Sequence, residues 1–172
     1  MIRRWGLPLL IGIVAALVAW QAALIATPRI LMVLAVSRIE KVGGPNHFTH
    51  APLADDRSRA IVRPSPDLAY SSCPFDLSKG PLRIDAVPVT TAPYWSLSIF
   101  DAQTDAVFVR NATESATPFR VAIVAPGQTA PAGYMPVHVL GPRGIALVRI
   151  LIDEKARFAE IDAARRETNC AV

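Results

Sequence analysis

The amino end of the chain is an uncharged, apolar run. No charged residue occurs from Trp5 through Pro28, and Gln21 is the one strongly polar residue in "GLPLLIGIVAALVAWQAALIA". About twenty apolar residues in an α-helix span the hydrocarbon core of a bilayer. The pattern therefore predicts a transmembrane helix, acting as a signal anchor, over residues 1–26.

A second helical pattern follows in "PRILMVLAVSRIEKVGG", where apolar positions alternate in groups with charged ones. Pro28 permits a fresh helical start, and Gly43 and Gly44 are typical of a helix end. This helix continues the membrane span, lies at the membrane interface or packs against the following domain. Together with the loop-like stretch up to Asp56, it forms a predicted juxtamembrane region, residues 27–56.

Beyond that region the pattern changes to short strands. Trp95, Leu97 and Ile99 alternate with Ser96 and Ser98, as in a half-buried strand. About seven such segments, separated by turn residues, fit an antiparallel sandwich. We therefore predict a mainly β domain over residues 57–172. The predicted strands are "LAYSSC", "PLRIDAV", "YWSLSIF", "AVFVRN", "FRVAIVA", "PVHVL" and "IALVRILI".

A terminal helix is predicted in "EKARFAEIDAARRE". Asp153 stands just before it, where a carboxylate can cap the first turn. Phe158 and Ile161 supply an apolar stripe that would face the domain. The β domain therefore ends with a short amphipathic helix.

The entrance to the first strand is the stretch "RPSPDLAYSSCPFDLSKGP". Its prolines disfavour helix in the preceding residues and cannot donate to a β ladder, so this lead-in precedes pairing or runs at an edge. Asp67 can accept backbone hydrogen bonds, Arg63 is near enough to pair with it, and the Tyr70 hydroxyl needs a partner. We take Arg63, Asp67 and Tyr70 as a structural motif, with ligand binding as the alternative.

Charge sets the predicted orientation and limits the partners. The net charge is +4, but without Arg3 and Arg4 the basic and acidic residues nearly balance. No basic run with interleaved aromatics occurs, so a nucleic-acid partner is not expected. Arg3 and Arg4 precede the span, which predicts a cytoplasmic N-terminus and an exported domain.

Two further points concern the compartment. The Ala/Arg/Pro-biased composition suggests a bacterium, so we expect the inner membrane and a periplasmic domain. The alternative is a cleaved signal peptide, against which "LIATPRI" lacks a small-x-small cleavage site.

No catalytic constellation is evident. Ser71 and Ser72 lack the glycines of a nucleophile elbow, and Asp101 and Asp105 flank a turn in which Asp ordinarily bonds backbone. The glycines are scattered and form no phosphate loop. We therefore expect no catalytic residues and no cofactor, and an enzyme is the least favoured hypothesis.

The three histidines and two cysteines are the candidate metal ligands and cross-links of the chain. His47 and His50 form an H-x-x-H pair in a loop, without the further ligands that a metal site needs, so no metal is expected. Cys73 lies in a predicted strand and Cys170 beside the C-terminus. An exported pair can form a disulfide, but we expect Cys170 to be mobile and the bridge to be absent.

The strand entrance and the following strand resemble the bacterial domain-of-unknown-function family 1254. Its usual pattern runs Arg-Pro-Asn-x-Asp-Thr-Leu-Tyr-Ser, then a Leu-Ser-x-Gly-Pro turn, then Tyr-Tyr-Ser and Asp-x-x-Thr. Ser65, Leu68, Ala69 and Trp95 depart from it, and the resemblance covers residues 57–167. The matching residues are Arg63, Pro64, Asp67, Tyr70, Ser71, Leu77, Ser78, Gly80, Pro81, Tyr94, Ser96, Asp101 and Thr104.

The resemblance implies an immunoglobulin-like β-sandwich with no established reaction. Long members of the family carry a second, jelly-roll-like domain of family 1214. This chain is expected to be the short, membrane-anchored form without it, acting beside an anchored protein that carries that domain. The leading hypothesis is therefore a single-pass membrane protein with a protein-interaction module. The alternative is a periplasmic module that binds a small molecule or carbohydrate.

Overall fold

The computed structural model describes residues 2–58 and 63–172. It contains a long N-terminal helix, a β domain and a short C-terminal helix, as predicted in outline. The side chains of Arg3 and Arg4, on which the predicted orientation rests, lie outside the described part. The helices are α1 (Ile2–Gly43) and α2 (Phe158–Arg165). The strands are β1 (Thr49–His50), β2 (Leu68–Asp76), β3 (Leu82–Ala86), β4 (Trp95–Phe100), β5 (Ala106–Asn111), β6 (Phe119–Val124), β7 (Met135–His138), β8 (Arg143–Leu151) and β9 (Asn169–Ala171).

The helix α1 is continuous, so the fresh start predicted at Pro28 is wrong. Pro28 lies inside the helix, although a proline removes one amide donor from the ladder and crowds the carbonyl four residues before it. The stop at Gly43 and Gly44 is confirmed: Gly44 has a φ of 79° and its amide donates to the Glu40 carbonyl at 2.8 Å. A left-handed glycine of this kind is a common helix terminus.

The two halves of α1 have different surroundings. Leu9, Ile13 and the other large apolar side chains of the first half are exposed, and the helix is long and apolar enough to cross a membrane. In the second half, Met32 and Val36 are buried against Ile145 of β8, with Phe100 and Leu147 beside them. Of the alternatives predicted for this segment, the structure shows both a continuation of the first helix and packing against the following domain.

The β domain consists of two sheets. The five-stranded sheet has the order β1-β2-β8-β4-β5, and the four-stranded sheet has the order β7-β6-β3-β9. Both sheets contribute to one core, which includes Phe75, Leu97 and Trp95 from the first sheet and Ile84 and Ile123 from the second. The two layers are therefore held together by shared apolar burial.

Each of the seven predicted strands is present, but the prediction of an antiparallel arrangement is wrong at one place. The pair β6 and β7 is parallel, with Val121 beside Met135 and Ile123 beside Val137. Parallel neighbours need a crossover connection, and the segment 125–134 supplies it. The short strands β1 and β9 were predicted as a loop and a mobile terminus.

The strand β4 is more buried than its alternating pattern predicted. Trp95, Leu97 and Ile99 face the core, but Ser96 and Ser98 on the opposite side are also buried. That outer side carries α1, and Arg149 of β8 donates a hydrogen bond to the Ser98 hydroxyl at 3.3 Å. The alternation of apolar residues and serines thus predicts one exposed face for a strand that is in fact covered on both.

Cys73 and Cys170 form a disulfide, with their Cα atoms 6.8 Å apart, so the expected absence of the bridge was wrong. The reason is that the C-terminus is ordered: β9 pairs with β3, and Cys170 lies opposite Ile84. Both cysteines are buried in the core. The bridge fastens the C-terminal strand of one sheet to β2 of the other.

The C-terminal helix is shorter than predicted. A 3-10 turn, Lys155–Arg157, precedes α2, and neither has a side-chain cap. The Asp153 carboxylate instead accepts from the Glu154 amide at 2.9 Å and pairs with Arg157. Ile161 is buried in the core and Phe158 packs against it, so the predicted inward stripe is confirmed.

Candidate functional site

The strand entrance is held by Tyr70, which lies in β2. The Tyr70 hydroxyl accepts a hydrogen bond from the Ser65 amide at 3.0 Å, and the Asp67 carbonyl accepts from the Ile152 amide at 2.8 Å. Pairing begins at Leu68, so the proline-rich lead-in precedes the ladder as expected. The predicted partner of the Tyr70 hydroxyl is therefore the backbone of its own lead-in.

Arg63 and Asp67 are both exposed. Within the described residues, no ion pair joins them and the Asp67 carboxylate accepts no hydrogen bond from the backbone. The three residues of the predicted motif thus do not converge on one point there. Their role as a ligand site stays a prediction.

A buried cluster that the sequence did not indicate lies next to Tyr70. Arg165, at the end of α2, has 1% of its surface exposed. Its guanidinium donates to the carbonyls of Tyr70 and Ala51, each at 2.8 Å, and to the carboxylate of Asp162. Buried charges are stable when paired and hydrogen-bonded in this way. Arg165 therefore fastens α2 to the β1–β2 side of the domain.

The same cluster fixes the charge of its neighbours. Burial raises the pKa of the Asp162 carboxyl, but hydrogen bonds from Arg166 and Arg165 outweigh this and leave the pKa below its ordinary value. Burial, followed by the positive charges of Arg165 and Arg166, lowers the pKa of His50, with Asp162 acting in the opposite sense. His50 is therefore neutral at physiological pH.

His50 contacts Ser71, which the sequence did not predict. The Nδ1 atom of His50 and the Ser71 hydroxyl are 2.8 Å apart. A serine beside a histidine is the arrangement of an activated nucleophile, but Ser71 is 1% exposed and its oxygen does not face solvent. The pair therefore joins β1 to β2 in this structure.

His47 does not join His50. Its Nδ1 atom is 2.9 Å from the Pro45 carbonyl oxygen, on the loop after α1. In the described part of the chain, no three His, Cys, Asp or Glu side chains are grouped as metal ligands.

Asp101 behaves as predicted for a turn residue: its carboxylate accepts from the amides of Gln103 and Asp105 at 2.8 and 3.1 Å.

The domain carries a concave surface beside each of its sheets. An apolar pocket of about 320 Å³ lies between the end of α1 and β1, lined by Ile39, Val42 and His50 among others. An open depression of about 480 Å³ lies on the four-stranded sheet beside Asp85 and Arg120. The volumes are within the range of small-molecule sites.

The depression beside Asp85 carries a polar group of three side chains. The Arg120 guanidinium is 3.1 Å from the Asp85 carboxylate, and the Tyr134 hydroxyl donates to the same carboxylate at 3.1 Å. Arg120 also lies 5.8 Å from the centre of the Tyr134 ring. Most of the Arg120 side chain is exposed. We refer to the four-stranded sheet as sheet B and to Asp85, Arg120 and Tyr134 as the sheet-B triad.

These features define a two-sheet β domain carried on a long apolar helix. The chain belongs to the family described as "Protein of unknown function (DUF1254)", whose model matches residues 45–172. The family prediction is therefore confirmed. A comparison with curated proteins found no match.

Among solved structures, the chain is similar to the VPA0106 protein from Vibrio parahaemolyticus, with a TM-score of 0.61 and 13% identity. The similarity covers 86% of this chain and 37% of that one, so the chain spans well under half of the relative's length. Residues 45–172 alone make up less than 86% of this chain, so the similar region also includes part of α1. An uncharacterized protein from Burkholderia cenocepacia gives a TM-score of 0.45 and 16% identity, covering 62% of this chain and 31% of that one.

Proposed function

We propose that the protein is a single-pass membrane protein whose β domain acts outside the cytoplasm as a protein-interaction module. The observation that carries the anchor is the contrast along α1. Its first half exposes apolar side chains on all sides, and its second half is packed on the five-stranded sheet. A helix that is apolar all round needs a lipid or protein environment. One continuous helix thus connects a span to the domain.

The proposed location is the bacterial inner membrane, with the N-terminus in the cytoplasm and the domain in the periplasm. Arg3 and Arg4 precede the span, in line with the positive-inside tendency. The Cys73–Cys170 disulfide supports an exported domain, because such bridges persist in oxidising compartments. Cleavage as a signal peptide is the alternative for the span.

For the fold, we propose the immunoglobulin-like sandwich that the family resemblance implies. Its support is the single core shared by the two sheets. The parallel pair β6 and β7 is a departure from the usual antiparallel arrangement of that fold.

The proposed interaction surface is the sheet-B triad with its surrounding depression. It lies on the four-stranded sheet, whereas α1 packs on the five-stranded sheet. Arginine and tyrosine are enriched where proteins bind each other. The proposed partner, carried over from the family resemblance, is an anchored protein with a family 1214 domain. Anchoring both proteins in one membrane raises their effective concentration, so a modest interface suffices.

A second candidate function is binding of a small polar molecule or a carbohydrate. The depression beside Asp85 and Arg120 favours it, since it combines an ion pair with the partly buried ring of Phe119. Such a ligand would bind the isolated protein without a partner.

The topology is tested by fusing alkaline phosphatase or a fluorescent protein after Val172. Phosphatase activity without fluorescence is expected, because the C-terminus is proposed to be periplasmic. Cytoplasmic fluorescence without phosphatase activity would reverse the orientation. A mature chain that begins near Thr27 would replace the anchor by a cleaved signal peptide.

The interaction is tested in intact cells with a photo-crosslinking residue at position 118, which is exposed and lines the same depression while leaving Arg120 in place, followed by mass spectrometry. The expected product contains a second, membrane-anchored protein, and Arg120→Glu should abolish its copurification. Arg143→Glu is the matched control, because Arg143 is a similarly exposed arginine paired with Asp76 on the other sheet. Self-crosslinks alone, together with a small molecule retained by the purified protein, would favour the second function.

A further inference from the structure

Three exposed apolar side chains of the β domain lie at one corner. Val107 and Val109 of the edge strand β5 have 37% and 48% of their surface exposed, and Leu140 after β7 has 59%. The segment after β7 adjoins the β4–β5 turn, since a Cβ atom placed on Gly141 would lie 3.4 Å from Cβ of Ala102. We call Val107, Val109 and Leu140 the β5 corner. In the described chain beyond α1, the other large apolar side chains with comparable exposure are Tyr94, Met135 and Val172.

The contacts of α1 show how the helix crosses the five-stranded sheet. At its C-terminal end, a Cβ atom on Gly43 would overlap Thr49 of β1, and Ile39 and Val42 line a pocket with Ser72 of β2. Eleven residues before Gly43, Met32 is buried in the cluster formed by Ile145 of β8 and Phe100 of β4. Towards its N-terminus, the helix therefore passes from β1 and β2 over β8 to β4.

The next strand in this direction is β5, which is the edge of the sheet. An α-helix rises about 1.5 Å per residue, and neighbouring strands are about 4.8 Å apart. From Gly43 to Pro28 the helix therefore advances by roughly 22 Å, which is enough to cross the whole sheet. Pro28 is half-buried, and every described side chain before it is exposed. Extended in the same direction beyond Met32, the helix axis therefore runs towards the edge that carries the β5 corner.

The sequence changes character at the same point. The uncharged run ends at Pro28, and Arg29 is the first charged residue after the span. Basic residues at the end of a membrane helix lie at the level of the lipid headgroups. The β5 corner thus meets the end of the span at the depth where the membrane surface is expected.

We infer that the β5 corner of the domain rests in the interfacial zone of the same membrane that α1 spans. This inference depends on the proposed anchor and extends it by assigning a second, lateral contact with lipid. Apolar side chains gain free energy by leaving water for the acyl boundary. An edge strand with exposed valines would otherwise be free to pair with another chain. Contact with the membrane covers that edge and fixes the orientation of the sheet-B triad.

The test uses the full chain in vesicles of phosphatidylcholine and phosphatidylglycerol. An environment-sensitive fluorophore is attached to a single added cysteine, Leu140→Cys or Val109→Cys, under non-reducing conditions that preserve the native disulfide. The control is Val172→Cys, whose side chain is comparably exposed near β9, far from β5. We expect lipids with a quencher near the headgroup to quench both corner positions about threefold more strongly than position 172.

The outcomes separate the two proposals. If the protein does not float with the vesicles, the anchor fails, and the lateral contact fails with it. If it floats, but positions 109, 140 and 172 are equally open to a water-soluble quencher, the anchor stands and the lateral contact is refuted. Shielding of position 140 in native membranes but not in pure lipid vesicles would also refute it, and would assign the corner to a protein partner.

Discussion

The guanidinium group of Arg165 donates a hydrogen bond of 2.8 Å to the backbone carbonyl of Tyr70. This hydrogen bond joins the last turn of α2 to β2. The same group bonds the Ala51 carbonyl and the Asp162 carboxylate. One buried cation thus holds together three segments that are far apart in sequence.

Replacing this cation should destabilise the domain strongly. Arg165→Met removes the charge, keeps much of the side-chain volume and leaves buried acceptors without donors. Removing one member of a buried, hydrogen-bonded ion pair typically costs about 3–5 kcal/mol. The free energy of unfolding of the full chain in detergent, followed by near-UV circular dichroism in urea, measures this loss. Arg166→Met is the control, because Arg166 is more than half exposed and should change the value by about 1 kcal/mol or less.

The strand entrance offers a second pair of variants. Tyr70→Phe leaves the Ser65 amide without its acceptor and should cost about 1 kcal/mol. Asp67→Ala should cost less than about 0.5 kcal/mol, because the Asp67 side chain is exposed. A marked loss of stability in Asp67→Ala, or no loss in Tyr70→Phe, would contradict the conclusion that Tyr70 rather than Asp67 holds the strand entrance. If Asp67→Ala kept its stability but lost partner binding, Asp67 would be a functional residue.

The fold could be predicted where the chain carries local signals. Alternation around Leu97 and the turn residues between segments identified the strands, and the motif residues identified the family. The site features depend on contacts between distant residues, such as His50 with Ser71 and Arg165 with Ala51. A terminal arginine on an amphipathic helix looks like a solvated charge in sequence. Its burial follows from where α2 packs, which no local pattern encodes.

Stability should depend on pH through His50. Its pKa is lowered in the folded state, so the neutral form is favoured there and the unfolded chain binds more protons. The contribution of His50 is fully present above the ordinary histidine pKa of 6.5 and is lost as the pH falls from there through the folded-state pKa. Unfolding in urea at a series of pH values between neutral and mildly acidic should show this loss. Asp162, whose pKa is also lowered, should add a further loss below the ordinary Asp pKa of 3.8.

The variant His50→Asn distinguishes the loss of stability due to His50, in the upper pH window, from the loss due to Asp162, in the acidic window. An asparagine can still bond the Ser71 hydroxyl but does not titrate, so the loss in the upper window should disappear while the acidic window remains. His47→Asn is the matched control, since His47 is exposed on the preceding loop and should leave the pH dependence unchanged. A profile that stays the same in His50→Asn would show that another group is responsible.

The disulfide should be a major contribution to the stability of the domain. Cys73 and Cys170 are separated by 97 positions, and both are buried between the sheets. In the chain-entropy account, closing a loop of this size stabilises the folded state by about 4–5 kcal/mol. Urea unfolding of the full chain with and without dithiothreitol should show a difference of this order. The double variant Cys73→Ala, Cys170→Ala should have the same free energy of unfolding as the reduced protein, and dithiothreitol should not change it. Thiols that react with an alkylating reagent in the untreated, membrane-bound protein would contradict both the bridge and the exported location.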